Sequence, residues 1–308
     1  TTSDILTTAN LPATLGADAP YENMGTIQTK GWELAIDYRH TFKNGLHFGV
    51  TASVADDKTE VTKWTYNTKI PSYGATGWWD KSAYKEGMVL GDIWGLQFDR
   101  FLTEDDFNAD GSLKAGLPDQ TKVFPAGYQF APGDVLYKDL DNNGEIVKQT
   151  NTNDKGDLSV IGNALPRLQF GLNLDAAWKG FDISMFFQGV AKRKLWAAGN
   201  QVLPGFTTGE PFYKGAEDYW TPENTDAFYP RPMDYKQSAS GNYSVNDRYL
   251  LNMAYLRLKT FTVGYSLPKV WLSKFKVQGL RVYFTGENLF TIDGVKPAID
   301  PEIGIRTA

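Results

Sequence analysis

The stretch from Lys30 to Val54 constrains the fold most. In KGWELAIDYRH, Trp32, Leu34, Ile36 and Tyr38 alternate with Glu33, Ala35, Asp37 and Arg39. After FKNG the alternation resumes, with Leu46, Phe48, Val50, Ala52 and Val54 set against His47, Gly49, Thr51 and Ser53. A period of two gives a strand one apolar and one polar face, and Asn44-Gly45 suits a tight hairpin turn. A second hairpin follows the same plan. Leu168, Phe170, Leu172, Leu174, Ala176 and Trp178 line one strand, Lys179-Gly180 turns, and Phe181, Ile183, Met185 and Phe187 line the next. A third pair is YLRLKTFTVGYSL and GLRVYFTGENLF, where the apolar phase slips between Leu258 and Phe261 and predicts a bulge.

Strands of about ten residues suit a tilted crossing of a bilayer. A soluble sandwich can also alternate, with its polar face in solvent. The connections separate the two. Links within each pair are short, whereas residues 59–166, 192–253 and 1–27 read as long loops. Short turns on one side and long loops on the other are the habit of outer-membrane barrels, while sandwiches turn every 8–12 residues or so. The expected fold is therefore all-β, an antiparallel transmembrane barrel segment with long extracellular loops. If the short turns are periplasmic, the strand near 46–56 rises, that near 167–178 descends, and 59–166 lies outside. GDIWGLQFDRFL (91–102) is then either an excursion above the membrane or one of two extra strands. The six to eight visible strands leave open edges that lipid does not tolerate, so residues 1–308 are expected to be part of a larger barrel.

Composition narrows the partners. Charged residues make up 22% with a net charge of −5, and no basic run could follow a phosphate backbone, so no nucleic-acid partner is expected. Nine Trp, 16 Tyr and 18 Phe can serve as core, as sugar-stacking platforms or as a membrane belt. Cysteine is absent, which removes thiol chemistry. No nucleophile-and-base pair, phosphate loop or dinucleotide fingerprint occurs, so the expectation is a protein that is not an enzyme.

Five blocks in order resemble one family. They are NMGTIQTKGWEL (23–34), PGDVLYKDLDNNGEI (132–146), YWTPENTDAFYPR (219–231), YLRLKTFTVGYSLPK (255–269), and LRVYFTGENLFT (280–291) with DPE at 300–302. Together they are similar to the C-terminal barrel region of the SusC/RagA family of TonB-dependent outer-membrane transporters. The resemblance implies a barrel of about 22 strands whose lumen holds a plug, in the outer membrane of a Gram-negative cell. It also implies a SusD-like surface lipoprotein partner, coupling to the TonB complex, and import of oligosaccharides or peptides. The family's plug, early strands and final aromatic-ended strand are not found in the sequence. The rival expectation is a soluble, calcium-stabilised β-sandwich that binds carbohydrate.

Candidate sites lie in the loops. Asp139, Asp141, Asn143 and Gly144 hold positions 1, 3, 5 and 6 of an EF-hand-like calcium loop. Glu145 would add a backbone carbonyl. Position 12 is Thr150 instead of Glu, so Asp154 or Asp157 would have to complete a structural Ca2+ site. Asp106, Asn108, Asp110 and Gly111 form a second, weaker run. Trp78, Trp79 and Trp220 are candidate substrate contacts, and Trp196, Tyr213 and Tyr219 lie in the same outer loop as Trp220. Arg39, Arg281 and Glu287 are expected in a cross-strand charge network, and His40 and His47 lack the further ligands that zinc needs.

Overall fold

The computed structural model describes residues 1–8, 20–65, 86–148, 156–197, 199, 202–205, 212–233, 241–295 and 299–303. In chain order the strands are β1 (Thr2–Thr8), β2 (Tyr21–Thr41), β3 (His47–Trp64), β4 (Asp92–Gly95), β5 (Phe98–Phe101), β6 (Val135–Tyr137), β7 (Ser159–Asn163), β8 (Arg167–Trp178), β9 (Phe181–Lys192), β10 (Lys194–Leu195), β11 (Leu251–Asn252), β12 (Tyr255–Ser266) and β13 (Arg281–Asp293). Seven of them form one sheet in the order β1-β2-β3-β8-β9-β12-β13. Every pairing in it is antiparallel.

The alternation of the sequence becomes two faces through the register. Leu34 lies opposite Val54 and Val54 opposite Phe170, while Ile36, Ala52, Leu172 and Phe187 form the next row. Ile183, Val263 and Phe284 continue that face into the last strands. The other face carries Asp37, Thr51 and Asn173, then Ser184, Thr262 and Thr285. The apolar face is bare: Trp32 is 52%, Ile36 56% and Phe284 60% exposed. A sandwich would bury that face against a second sheet, and none of the described elements covers it. Uncovered apolar strands of 12 or 13 residues fit a lipid-facing barrel wall. Exposed rings of Tyr38, Phe48, Trp178 and Phe181 gather at the hairpin end, where an aromatic girdle meets the membrane interface.

The turns explain the pairings. Phe42 and Leu46 close the first hairpin, and Gly45, at φ 85°, donates its amide to the Phe42 carbonyl. That is a type I turn followed by a left-handed glycine. Lys179 and Gly180, at φ 49° and 91°, make the tighter two-residue turn between β8 and β9. The connection from β12 to β13 is longer and carries a helical turn, Lys269–Leu272. The expected bulge falls between Leu258 and Thr260, where the register slips against both neighbours.

One expectation changes and one open alternative is decided. Residues 1–27 are not simply a loop, since β1 pairs with the start of β2. Thr-rich β1 offers little apolar alternation, and a left-handed Asp4 (φ 57°) interrupts its register. The segment 91–102 does not span: β4 pairs with β7 and β5 with β6, in two-stranded sheets apart from the wall. It is an excursion.

At the end of the wall opposite the tight turns, the two long connections build a lobe with its own core. Phe101, Val135, Tyr137, Ile146 and Leu158 from the first connection pack with Trp220 and Ala227 from the second. A neighbouring cluster holds Val202, Leu203, Tyr229, Tyr243 and Tyr249, with Leu251 and Met253 at the return to the wall.

Candidate functional site

The lobe is organised by one buried carboxylate. Asp134 accepts hydrogen bonds from the Tyr128 hydroxyl (2.9 Å), the Ala131 amide (2.9 Å), Arg231 Nε (2.8 Å) and Asn242 Nδ2 (3.0 Å). Its side chain is fully buried, where a carboxylate survives only if paired and hydrogen-bonded. Gly133 stands beside it in a left-handed conformation (φ 91°), and a Cβ there would come within 2.5 Å of the Trp220 ring. Tyr137 sends its hydroxyl to the Gly241 carbonyl at 2.8 Å. The sequence blocks 132–146 and 219–231, nearly a hundred residues apart, thus interlock at Asp134, Gly133, Trp220 and Arg231.

From this hub the chain runs into the acidic loop. The Gly144 amide bonds Asp139 Oδ2 (2.8 Å), the Asn143 amide bonds Asp141 Oδ1 (3.0 Å), and the Glu145 amide bonds Asn143 Oδ1 (2.8 Å). Asp157 returns to close the loop and accepts the amides of Leu140 (2.7 Å) and Val147 (2.8 Å). Carboxylate oxygens of Asp139, Asp141 and Asp157 lie within 4.8 Å of one another. Burial pushes the Asp157 carboxyl above its ordinary value; the two amides oppose the push, and the charges of Asp141 and Asp139 add to it. Asp139 Oδ1 is buried without a hydrogen-bond partner among the described residues. Three anionic oxygens and an orphaned acceptor suit a hard cation that prefers oxygen ligands. Among the sequence candidates, Asp157 is therefore brought to Asp139 and Asp141. Asn143 sits in the turn beside them, and Glu145 directs its carboxylate to Lys122. Asp154 lies outside the described residues.

The second acidic run is no such site. Arg100 grips both Asp106 oxygens, at 2.6 and 2.7 Å, and Asp106 also caps the Thr103 amide. Asp110 is occupied by the Ser112 amide and hydroxyl. These residues close a turn.

The aromatic candidates separate as well. Trp220 is 7% exposed and belongs to the lobe core. It is a packing residue, contrary to the expectation of a substrate contact, because the Gly133 backbone lies against its ring. Trp196 packs against the second cluster. Tyr213 and Tyr219 remain open, at 44% and 41% exposure, and border a cavity of about 660 Å³. Trp78 and Trp79 lie outside the described residues.

On the polar face of the wall, Arg281 reaches across β12 to Asp182 at 2.5 and 3.0 Å. Gly264 permits this, since a Cβ there would come within 2.5 Å of the guanidinium. Arg39 pairs with Asp37 in its own strand. Higher up, Arg257 binds Asp300 (2.7 Å) and Glu302 (2.8 Å), and Lys259 binds Glu302 at 2.8 Å. His47 shares a hydrogen bond with Thr41, and His40 lies parallel to Tyr38 and meets Phe42 edge to face.

A bare apolar face, a polar opposite face, tight turns at one end and a folded lobe at the other define a segment of transmembrane β-barrel. Similar proteins give that class a more particular address. The TonB-dependent receptor P3 of Formosa agariphila is 27% identical over 99% of the chain, and SusC of Bacteroides thetaiotaomicron, also named a TonB-dependent receptor, is 22% identical over 98%. The solved RagAB peptide transporter superposes with a TM-score of 0.66 over 98% of the chain at 17% identity. No protein-family model matches. The chain spans only 28% and 27% of the lengths of those two receptors. The chain is thus similar, over nearly its whole length, to the barrel portion of TonB-dependent receptors such as SusC, and it shares the fold of the matching part of the RagAB transporter.

Proposed function

We propose that this chain forms a C-terminal part of a barrel of about 22 strands in a Gram-negative outer membrane, and that the complete protein imports oligosaccharides or peptides. The alignment of nearly the whole chain with TonB-dependent receptors carries this reading. In it, the lobe faces the outside, a SusD-like lipoprotein covers it, and the TonB complex supplies energy from the periplasm. Partner coupling rests on the relatives, whereas the bare apolar face supports the membrane setting on physical grounds. The test is uptake of labelled oligosaccharide and peptide mixtures by cells with and without the receptor. Uptake that needs both the receptor and a functional TonB supports import. Equal uptake in all strains overturns it.

The acidic loop is proposed to hold a structural Ca2+ through Asp139, Asp141 and Asp157, with Asn143 and Glu145 shaping the turn and Asp154 near enough in sequence to add an oxygen. The orphaned Asp139 oxygen supports this. The missing Glu at position 12 points to affinity near 10⁻⁴–10⁻³ M, roughly that of extracellular modules. Calcium should slow proteolysis within 133–157, and chelation should restore it. An Asp139→Ala, Asp141→Ala variant should be cut quickly in both conditions. If the natural loop is cut at one rate with calcium or chelator, DLDNNGEI is only a turn.

A further inference from the structure

The three short connections of the wall, residues 42–46, 179–180 and 267–280, hold five lysines and no aspartate or glutamate. The lysines are Lys43, Lys179, Lys269, Lys274 and Lys276. The chain as a whole is acidic, with a net charge of −5, so this end runs against the composition of the rest. All five lysines are exposed, and none has an ion-pair partner among the described residues. Asp182, the carboxylate next to the second turn in sequence, is committed to Arg281.

The fold stitches the three connections into one rim. Trp178 Nε1 donates to the Asn44 carbonyl at 3.3 Å, which joins the first turn to the second. The Ser266 amide donates to the Gly180 carbonyl at 2.8 Å, which joins the second turn to the strand end where the third connection leaves. A Cβ at Gly180 would come within 2.7 Å of the Ser266 carbonyl, so glycine sets this close approach. Bare apolar side chains stand among the cations. Val270 is 75% and Trp271 58% exposed, on the helical turn whose Leu272 is buried. Phe42, Trp178, Phe181 and Leu280 are exposed as well. They prolong the lipid-facing rows of the wall: Phe42 follows Tyr38 at period two, Trp178 lies opposite Phe181, and Leu280 precedes Val282 and Phe284.

The mixture selects the occupant. A lysine stem can lie along hydrocarbon while its ammonium reaches the headgroups, and tryptophan settles at that same level. A soluble polyanion would use the lysines and leave Val270 and Trp271 in water. A bilayer of zwitterionic lipid would cover those side chains and leave five cations unanswered. A lipid with an anionic phosphodiester headgroup satisfies both, since clustered lysines beside a membrane attract anionic lipid. We infer that the turn end is a binding rim for anionic glycerophospholipid, its phosphates held by the five ammonium groups and its acyl chains starting against Trp178, Phe181 and Trp271. This rests on the membrane reading and adds a lipid selectivity to it, at the end away from the lobe.

The full-length receptor would be reconstituted into phosphatidylcholine vesicles carrying traces of spin-labelled phosphatidylglycerol or spin-labelled phosphatidylcholine. Electron paramagnetic resonance then gives the fraction of each label immobilised by the protein. Phosphatidylglycerol should associate at least threefold more strongly than phosphatidylcholine in low salt, and molar salt should bring the ratio towards one, because exposed charges are screened. Changing Lys43, Lys179, Lys269, Lys274 and Lys276 together to Gln should abolish the preference. Lys114→Gln, Lys138→Gln and Lys214→Gln together, in the lobe, should leave it. Heat-modifiable migration would verify that each variant keeps its barrel, and the salt series on the natural receptor tests the rim without any variant. Equal association of the two labels with the natural receptor overturns the assignment, as does a preference that survives in the five-lysine variant or disappears in the lobe variant. Lysine-dependent sedimentation with purified peptidoglycan, in the absence of lipid preference, would give the rim to a soluble polyanion and also overturn it. A receptor that enters vesicles in heat-modifiable form without preference loses only the rim, whereas one that never enters them removes the membrane reading itself.

Discussion

Phe284 and Thr285 are neighbours in the chain and strangers in environment. Phe284 continues the bare apolar row through Val263 and Ile183, whereas Thr285 shares a hydrogen bond with Thr262 on the polar face. Arginine at 284 would sit in lipid, at a cost of about 2–4 kcal/mol near the midplane. At 285 it would enter the wet interior. Phe284→Arg should therefore block barrel assembly and Thr285→Arg should be tolerated, as read by heat-modifiable migration of membrane fractions; equal behaviour would reverse the assigned faces. A second residue-scale test concerns acid. Its hydrogen bonds to Arg100 hold the Asp106 carboxyl down at about 2 despite partial burial, against an ordinary value of 3.8. A depressed value means that the stabilisation is present above the ordinary value and disappears as the pH falls towards 2. Pepsin should begin to cut around 98–114 as the pH drops from about 4 to about 2, and Asp106→Asn should already be cut at the upper end. Identical digestion of both proteins across that window would show the pair to be idle.

At the scale of elements, the wall was legible in the sequence and the lobe was not. Alternation along 32–38 and 46–54 is local and survives without any knowledge of partners, so faces, hairpins and even the slip at Leu258 could be read. Strand β1 escaped because a short Thr-rich segment signals its place only through the partner strand. The clustering of the acidic loop was legible because Asp139, Asp141 and Asn143 are close in sequence; Asp157 was within reach, and its approach required only that the chain turn back. The hub around Asp134 was out of reach, since Arg231 and Asn242 lie roughly a hundred residues away. Trp220 was misread for the same reason, as only the approach of Gly133 reveals why its ring is covered. The Asp-Pro-Glu segment belongs here too. Arg257 and Lys259 hold Asp300 and Glu302, and Arg193 donates to the carbonyls of Pro301 (3.1 Å) and Ile303 (2.8 Å). Arg257→Ala would strip several charge-assisted bonds from this strap, each contributing about 1.5–3 kcal/mol at most. Cleavage after 293 should accelerate while the wall keeps its heat-modifiable form. An unchanged cleavage rate would mean that Arg193 and Lys259 suffice to hold the strap.

At the scale of the whole molecule, wall and lobe obey different physics. The wall exposes its apolar face and depends on lipid to cover it, while the lobe buries Tyr137, Ile146 and Leu203 as a water-soluble domain does. Two loops from separate hairpins contribute to one core, so neither can loosen alone if Asp134 joins them. Asp134→Ala tests this joint. The change removes the acceptor of Arg231 and of the fully buried Asn242, and leaves a cation without its partner. Breaking a buried pair from one side costs about 3–5 kcal/mol. That loss falls on the lobe, because none of the Asp134 contacts reaches the seven-stranded sheet. Trypsin and chymotrypsin should consequently cut the variant in 86–148 and in 212–233 at rates that rise together, while the barrel still migrates as a folded, heat-modifiable band. Cleavage that rises in one segment alone would mean that the loops fold independently and that Asp134 is an ornament of the first. Loss of the heat-modifiable band along with the lobe would mean that the wall cannot close without it, and that the two parts form a single cooperative unit.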